Sequence, residues 1–382
     1  MKVVHFGAGK IGRGFIAELL HDTGYEIVFA DVFQPLIDEL NQYHNYYLYS
    51  IENNHERKEI DKVSALSTIN QGQEVIDEIV NADLVTTAVI VDNFPKIAGL
   101  LAKALKARLD AGKEKVNVIA CENAPYCGNM LASELVKTGE ITEEELNQIA
   151  AIPNQVVDRM VFNYEENGRV GIEVGKGYEL VIEKNRLVDP ESEPIKGAHY
   201  TGNIEKYLER KLYVVNGGHT GAGYVAHLQG YEIIQDYFAT EAGLKDARDR
   251  MLELSAFVEK KHGFDHQEMV DYVDYSLNRW MTPGVQDPIS RISRAPIRKL
   301  APKDRLVQPA LGLEAYGLED GLIIKSIAAG YLFYLEDDDQ AKELKAFIEE
   351  NGIEKALKKY SDLDANEGLG KKVLEAYNSL KK

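Results

Sequence analysis

The chain has 382 residues, of which 45% are hydrophobic and 28% charged, a composition typical of a globular protein long enough for two domains. Its formal net charge of −18 argues against nucleic acid or an anionic membrane as a partner, because both bind basic surfaces. It has two cysteines and no apolar run near the ~20 residues that cross a bilayer. With strand-like residues rather than a signal peptide at the start, we expect a cytoplasmic protein without disulfides.

The first half of the chain alternates strand-like and helix-like segments. Short apolar or β-branched runs predict strands at 3–6, 26–30, 83–87 and 116–120. Amphipathic stretches such as 11–20 and 97–109 predict helices between most of these strands. Strands separated by helices pair in parallel, so the pattern predicts a doubly wound Rossmann-type sheet. We interpret the polar segment 52–63 as a surface excursion.

The pattern changes near residue 170. Residues 170–174 and 178–183 predict a short antiparallel pair joined through Gly175–Gly177, and residues 186–199 predict a connecting loop. Most of the chain beyond Ile204 is predicted to be helical, including 244–261, 267–278, 341–350 and 371–381. The fold class is therefore α/β, with a Rossmann-type domain over 1–190 and a mostly α-helical, substrate-binding and catalytic domain over 191–382. We expect the active site in the cleft between them.

A glycine motif opens the chain. Gly7-Ala8-Gly9-Lys10-Ile11-Gly12 is a G-x-G-x-x-G that directly follows a predicted strand and begins a predicted helix. Such glycines allow a tight turn, close approach of pyrophosphate to the backbone and close helix packing. The second predicted strand ends at Asp31, where a carboxylate can hold a ribose diol and would repel a 2′-phosphate. This context favours an NAD site over a glycine turn that binds nothing.

Three further residues have alternative interpretations at this site. Thr87, at the end of a later strand, could line the nicotinamide side, although small residues there usually pack. We interpret Lys10 and Arg13 as solvated surface residues rather than partners of a 2′-phosphate.

The segment 209–219 holds a second candidate constellation, formed by Lys211, Asn216 and His219. On an α-helix, at ~100° per residue, Asn216 lies about 140° and His219 about 80° from the lysine, so all three could face one cavity. The pair Gly217-Gly218 indicates that something approaches the backbone closely or that the helix is interrupted. Spacing alone favours a surface lysine and a core histidine over a catalytic pair.

A family resemblance changes that balance. A Lys-x4-Asn-x2-His pattern in a helical domain behind a Rossmann domain resembles the polyol-specific long-chain dehydrogenases. The resemblance runs through nearly the whole chain and includes His5 to Phe15, Cys121-Glu122-Asn123, Val157-Asp158-Arg159, Arg298-Lys299-Leu300 and Asp304-Arg305-Leu306.

The resemblance implies a metal-independent, NAD-dependent oxidation of a secondary alcohol. It implies that Lys211 is the general acid/base, that Asn216 and His219 orient the reacting oxygen, and that Asn123 and Asp158 lie near the nicotinamide and the substrate. Position 208 is leucine, where some family members carry a glutamate, so no proton-relay acid is assigned.

A basic segment follows between residues 287 and 307. It carries six lysines and arginines against two aspartates in a chain of net charge −18. Arginine matches phosphate oxygens bidentately, whereas the alternative is an ordinary solvated basic face. Pro296 and Pro302 predict loops here, which favours a binding segment. With the resemblance, we expect a sugar-alcohol phosphate as substrate and Arg294, Arg298 and Arg305 as the residues that bind its phosphate.

Other functions and residues carry less weight. A mannitol 2-dehydrogenase or a fructuronate or tagaturonate reductase is the nearest alternative. A neutral ketose would not require clustered arginines, whereas the carboxylate of a hexuronate is compatible with them. An NADH-sensing protein would need an effector domain, which the sequence does not indicate. His262 and His266 have the spacing of a helical metal pair, yet Gly263 lies between them and no third ligand is near. Trp280 is interpreted as a packing residue rather than a lid.

Overall fold

The computed structural model describes residues 1–52, 55–166 and 168–381. These residues form two compact units, Met1–Leu208 and Glu209–Lys382. Compactness does not test the functional division predicted near residue 190, which stays a prediction. Within the described ranges, every helix is too short or too polar to cross a membrane.

The first unit is built on a parallel six-stranded sheet in the order β5-β2-β1-β6-β7-β8. Its central strands are buried along most of their length, as expected for mostly apolar or β-branched runs in a parallel sheet. The predicted Rossmann-type sheet is thereby confirmed. Its strands are β1 (Lys2–Phe6), β2 (Glu26–Asp31), β5 (Val63–Ser67), β6 (Leu84–Thr87), β7 (Val116–Ala120) and β8 (Ala150–Ala151).

A second sheet belongs to the same unit and was predicted only in part. Its members are β3 (Asn45–Ser50), β4 (Arg57–Asp61), β9 (Gln155–Glu166), β10 (Arg169–Glu183) and β11 (His199–Thr201). Strands β10 and β9 pair antiparallel along most of their length, and β3 pairs with both β10 and β4.

Two sequence interpretations are wrong in this sheet. The segment 52–63 is not only a surface excursion, because it contains β4. Residues 170–174 and 178–183 do not pair with each other, because both belong to β10. The register of β10 against β9 shifts between Val174 and Tyr178, so the glycines that suggested a turn accompany a bulge within one strand.

Helices cover the sheet of the first unit and follow its strands, as a doubly wound topology requires. The chain enters the first of them through a π-helical turn over Gly12–Ile16. The α-helices are α1 (Ala17–Thr23), α2 (Gln34–Tyr43), α3 (Gly72–Asn81), α4 (Phe94–Asp110), α5 (Cys127–Lys137), α6 (Glu143–Ile149) and α7 (Ile204–Glu209).

The second unit is helical throughout its named elements, which confirms the predicted fold class. Local chemistry sets several ends: the side chains of Thr240 and Asp265 cap α10 and α11, and Gly263 ends α10 at a φ of 67°. The helices are α8 (Gly218–Leu228), α9 (Ile234–Phe238), α10 (Glu241–His262), α11 (His266–Trp280), α12 (Ile289–Ser293), α13 (Pro296–Lys299), α14 (Val307–Tyr316), α15 (Gly321–Leu332), α16 (Asp339–Asn351), α17 (Ile353–Ser361) and α18 (Gly368–Leu380).

Candidate active site

The glycine motif forms a tight loop between β1 and the first helix. Gly7 has a φ of 95°, and a Cβ on it would lie 2.6 Å from the Ala88 carbonyl oxygen. A Cβ on Gly12 would lie 2.0 Å from the Gly7 carbonyl oxygen, so the loop closes only around glycine. Apart from Gly9 itself and its two chain neighbours, no heavy atom of the described residues lies within 4 Å of a Cβ placed on Gly9. Backbone at Gly9 is therefore open to a ligand, as the predicted pyrophosphate site requires.

The helix that follows begins with the π-helical turn Gly12–Ile16, a geometry that often occurs at functional sites. Arg13 in this turn is 4% exposed, and its Nε donates to the Ala8 carbonyl oxygen at 2.7 Å. The interpretation of Arg13 as a solvated residue is therefore wrong: its side chain supports the loop from within. Lys10 is exposed, as predicted.

Asp31 fixes the same loop from the end of β2. One carboxylate oxygen accepts the Ala8 N–H at 2.6 Å, and the other accepts the Val32 and Phe33 N–H groups at 2.7 and 2.9 Å. The strand ends where the sequence predicted, at the edge where parallel strands deliver ligand-binding residues. The oxygen that accepts only the Ala8 N–H has a second lone pair, so a ribose hydroxyl could still donate to Asp31.

A cavity of about 180 Å³ opens beyond the ends of β6 and β7. Two residues that the resemblance placed near cofactor and substrate, Asn123 and Asp158, both line it. Thr87 does not line it, and instead is fully buried with its hydroxyl donating to Glu122 at 2.8 Å. The lining residues are Ile11, Phe15, Ala88, Ile90, Val91, Cys121, Glu122, Asn123, Val157, Asp158 and Arg159.

Glu122 is a lining residue to which sequence reasoning gave no role. It is 4% exposed, and its Oε1 accepts hydrogen bonds from the Thr87 hydroxyl and, at 3.0 Å, from the Val89 N–H. Burial raises the pKa of Glu122 to about 7, against the lowering effect of these two hydrogen bonds. A signal was available, because an acid two residues after the end of a buried strand is unusual outside a site.

Two alanine substitutions in the glycine loop are expected to separate folding from binding. Gly12→Ala should lower the free energy of unfolding by about 1–3 kcal/mol, because its Cβ has no room. Gly9→Ala should leave unfolding nearly unchanged and still weaken NADH binding, because its methyl group points into open space that a pyrophosphate needs. Denaturant unfolding and NADH fluorescence titration measure the two effects. Normal NADH affinity in the Gly9 variant would contradict the assignment.

In the second unit, Lys211 and Asn216 lie on a π-helical turn spanning Arg210–Gly217, not on an α-helix. A π-helix bonds residue i to residue i+5, so two positions five apart return to nearly the same face. The predicted separation of about 140° between Lys211 and Asn216 is therefore wrong, and the two lie one turn apart on one side. Lys211 is 7% exposed, so it is not a surface lysine.

The paired glycines Gly217 and Gly218 have close neighbours, which confirms the interpretation that something approaches the backbone closely here. A Cβ on Gly217 would lie 2.6 Å from the Arg305 carbonyl oxygen, and one on Gly218 would lie 2.4 Å from Cγ of Met251. The first contact holds the basic segment directly against the helix that carries Lys211 and Asn216. The helix also changes here, from π-helical to α-helical geometry.

His219, at the start of α8, lies in an aromatic and charged environment. Its ring stacks on Trp280 with a centroid distance of 4.1 Å, so Trp280 packs as predicted. Its Nε2 is 3.9 Å from a carboxylate oxygen of Asp287. Burial lowers the pKa of His219 to about 4; Asp287 opposes this, and nearby cations, Lys299 among them, add to it. The imidazole is therefore neutral near pH 7 and can donate one N–H to a substrate oxygen.

The basic segment is more regular than the prolines suggested. It holds α12, α13 and the start of α14, with Pro296 in the first turn of α13, where a missing N–H costs nothing. Pro302 lies in the turn between α13 and α14, as predicted. Ala295 has a φ of 58°, and its N–H donates to Asp338 at 2.6 Å. The Arg298 N–H donates to Gln340 at 2.9 Å. The start of α16 thus fixes the backbone between the two arginines.

Lys299 joins the three predicted arginines into one cluster. It is 3% exposed, and its Nζ donates to the Ile292 carbonyl oxygen at 2.5 Å. Burial, and then the charges of Arg305, Arg298 and Arg294, lower the pKa of Lys299 to about 7. The predicted phosphate-binding residues therefore share one electrostatic environment. Sequence reasoning recorded Lys299 only as part of a motif, because nothing in the pattern marked it as buried.

The three arginines differ in whether their guanidinium group already forms an ion pair with a carboxylate. Arg305 pairs with Asp304 at 2.7 Å, whereas Arg294 and Arg298 are exposed and form no ion pair within the described residues. These two are the guanidinium groups most available to an anionic ligand.

The two spaced histidines bind carboxylates. His262 Nε2 lies 2.6 Å from Glu209, and His266 Nδ1 lies 3.1 Å from Glu259. Lys261 also pairs with Glu209, at 2.6 Å. Throughout 1–52, 55–166 and 168–381, no three His, Cys, Asp or Glu side chains are grouped so that they could hold a metal ion.

Comparison with known proteins places both units in one family. The mannitol dehydrogenase Rossmann domain matches residues 1–195, and the mannitol dehydrogenase C-terminal domain matches residues 203–381. The chain belongs to the mannitol dehydrogenase family. It is therefore an oxidoreductase, as the resemblance implied.

Relatives within the mannitol dehydrogenase family are similar over their full length. The chain is 33% identical to a mannitol-1-phosphate 5-dehydrogenase of Caldanaerobacter subterraneus subsp. tengcongensis, over 100% of this chain and 99% of that one. It is 34% identical to the enzyme of that name from Geobacillus stearothermophilus, with 100% of both chains covered. A relative of the same name from Phaeosphaeria nodorum is 35% identical over 98% of this chain and 96% of its own.

Solved structures show the mannitol dehydrogenase fold. Pseudomonas fluorescens mannitol 2-dehydrogenase, in a ternary complex with NAD and D-mannitol, has a TM-score of 0.76 at 17% identity, over 100% of this chain and 92% of its own. A substrate-free D-sorbitol dehydrogenase has a TM-score of 0.81 at 17% identity, with 100% and 93% covered.

The left-handed backbone at Ala295 gives a further test of the basic segment. For a residue with a Cβ this conformation costs about 1–2 kcal/mol. The free energy of unfolding of Ala295→Gly should therefore equal that of the parent protein or exceed it by up to about 1 kcal/mol. Added backbone freedom next to Arg294 should raise KM for a phosphorylated substrate severalfold. Ala301→Gly, where φ is not positive, is the control and should only destabilise. Destabilisation by Ala295→Gly equal to the control would contradict the argument.

Proposed function

We propose that the chain catalyses the reversible, NAD-dependent oxidation of D-mannitol 1-phosphate to D-fructose 6-phosphate. The observation that carries this substrate is the grouping of Arg294, Arg298 and Arg305 around Lys299, in a chain of net charge −18. Neutral hexitols have no charge for such a cluster to bind, whereas a phosphate monoester has two. The names of the full-length relatives support the same substrate.

The first unit supplies the cofactor site. Backbone at Gly9 is open to the pyrophosphate, and Asp31 takes the adenosine ribose diol and disfavours NADP. Asn123 and the cavity beside β6 and β7 receive the nicotinamide. Two features of the described residues are consistent with such a ligand: a buried oxygen of Glu122 that has no hydrogen-bond partner, and open space beside the backbone at Gly9. NAD, when bound, accepts the hydride.

The second unit supplies the proton chemistry. Lys211 takes the proton of the reacting hydroxyl during oxidation and returns a proton to the ketone oxygen during reduction. Asn216, one π-helical turn beyond, and the neutral His219 donate hydrogen bonds to that oxygen as negative charge develops on it. These donors do the work that a metal ion does in other alcohol dehydrogenases, so turnover should resist chelators.

Substrate recognition uses charge at one end and hydroxyl contacts along the chain. Arg294 and Arg298, which have no internal ion pair in the described chain, bind the phosphate most strongly, with Arg305 assisting. Asp158 accepts hydrogen bonds from substrate hydroxyls. The proposal places the enzyme in the cytoplasm, with no nucleic acid or membrane partner, as a monomer or a small homo-oligomer.

The direct test mixes the purified protein with NADH and fructose 6-phosphate and follows the loss of absorbance. Free fructose and fructuronate are run in parallel, each with and without a chelator. Preferential turnover of fructose 6-phosphate in the presence of chelator supports the proposal. Preferential turnover of fructose or fructuronate would overturn the assigned substrate while leaving the family assignment intact.

A further inference from the structure

Glu122 is buried in the wall of the cavity assigned to the nicotinamide, and the proton chemistry above does not use it. The inference drawn from it rests on the proposed function, because it takes NAD as the cofactor. We infer that the protonation state of Glu122 depends on the charge of the nicotinamide ring. Glu122 is a carboxylate when oxidised NAD is bound and a carboxylic acid when NADH is bound.

The first step is geometric. Oε1 of Glu122 is held by the Thr87 hydroxyl at 2.8 Å and the Val89 N–H at 3.0 Å, which fixes the carboxyl group against the end of β6. Oε2 is buried and has no hydrogen-bond partner among the described residues. A buried polar atom without a partner is costly, so Oε2 is the oxygen that a cavity ligand would satisfy.

The second step concerns the charges around Glu122. Beside it, the lining holds the Cys121 thiol and two charged residues, Asp158 and Arg159. Arg159 is already matched, because its guanidinium donates to the Gly175 and Gly14 carbonyl oxygens at 2.9 and 3.0 Å and pairs with Glu18.

Behind Glu122 the neighbours are neutral. The Cys127 thiol and the Gln155 amide pack there, and Gln155 Nε2 donates to the Glu122 backbone oxygen at 3.0 Å. Burial raises the pKa of the Cys127 thiol to about 12, so it carries no charge near pH 7. Among the described residues around Glu122 in this unit, none is a cation left to neutralise it.

A ligand with a positive ring changes this balance. Oxidised nicotinamide carries a formal positive charge and reduced nicotinamide carries none, so the first favours the carboxylate and the second favours the acid. The balanced step is loss of the carboxyl proton to solvent as oxidised NAD binds, with no proton lost as NADH binds. Burial sets the pKa of Glu122 at about 7 in the free protein, so the step falls in the neutral range.

The test is calorimetric titration of oxidised NAD and of NADH into the full-length protein between about pH 6 and pH 8. Buffers of different ionisation enthalpy reveal the number of protons released. The wild type should release up to one proton with oxidised NAD, and below the pKa of Glu122 its affinity for oxidised NAD should rise up to about tenfold for each unit by which the pH increases, while NADH shows neither effect. Glu122→Gln should bind both forms without proton release. Glu143→Gln, on α6 and away from the cavity lining, should match the wild type.

Proton release that persists in Glu122→Gln would overturn the inference, because another group, such as Asp158, would then be its source. Equal pH dependence for both cofactor forms in the wild type would also overturn it, without touching the proposed function. Failure of the wild type to bind either form would overturn the proposed function first. If Glu122→Gln does not fold, Glu122→Asp, which keeps a carboxyl group, must still release a proton with oxidised NAD for the inference to hold.

Discussion

Lys211→Ala should lower kcat for fructose 6-phosphate reduction by about 10²–10⁴-fold, because the ketone oxygen loses its proton donor. NADH binding should change little, since the assigned cofactor residues lie elsewhere in the sequence. Steady-state kinetics at saturating NADH, together with fluorescence titration of NADH, separate the two quantities. Lys211 is buried, so circular dichroism and denaturant unfolding are needed to show that the variant is folded.

Lys260→Ala is the matched control for this variant. Lys260 is an exposed lysine on α10 of the same unit, and its removal should leave kcat within about twofold. A Lys211→Ala protein that retained wild-type turnover would contradict the assigned acid/base. An equal loss in both variants would point to a general loss of positive charge rather than to proton transfer.

Removing the phosphate-binding arginines should change substrate preference rather than chemistry. Arg294→Ala and Arg298→Ala should each lower kcat/KM for fructose 6-phosphate by about 10–100-fold, because each removes a charge-assisted hydrogen bond worth about 1.5–3 kcal/mol. Any residual turnover of free fructose should be unchanged, since fructose offers these groups no charge. The measurement is kcat/KM for both ketoses in each variant and in the double variant.

Lys303→Ala controls for net charge in the same segment. Lys303 is exposed, and the nearby charges that lower the pKa of Lys299 most are those of the three arginines, so the loss of Lys303 should affect both ketoses slightly and equally. A parallel fall in activity toward fructose and fructose 6-phosphate in the arginine variants would contradict phosphate binding and indicate a structural role. No fall with either substrate would leave the basic segment without its proposed function.

Much of the first unit could be predicted because its signals are local. The glycine motif, the strand ending at Asp31 and the strand Val116–Ala120 are all present as predicted. Each depends on short-range chemistry: glycine at a tight turn, an acid at a strand end, and a short, mostly apolar run in a parallel sheet. The glycines at 217 and 218 were informative for the same reason, because only a close neighbour justifies two of them inside a helix.

Other features depend on information that a residue pattern does not contain. Apolar spacing does not distinguish i→i+5 from i→i+4 hydrogen bonding, so the π-helical turn that superposes Lys211 and Asn216 was not predicted. Gly175 and Gly177 suggested a turn because glycine serves both turns and bulges, and pairing with the distant β9 decides between them.

The burial of three charged residues was also not predicted from the sequence. Arg13, Glu122 and Lys299 are buried although charged residue types rarely are, and of the three only Glu122, next to a buried strand, has a local signal of a special position. Each is buried through contacts with residues far along the chain or with backbone oxygens. All three lie in or beside a proposed binding site, where such burial is expected.

The most direct measurement uses NADH carrying deuterium at the transferable position of nicotinamide C4, with fructose 6-phosphate as substrate. The product is identified by nuclear magnetic resonance. We predict D-mannitol 1-phosphate with deuterium on C5, the carbon that was the ketone. Deuterium at another carbon, a glucitol phosphate as product, or label only in a dephosphorylated polyol would contradict the proposed reaction.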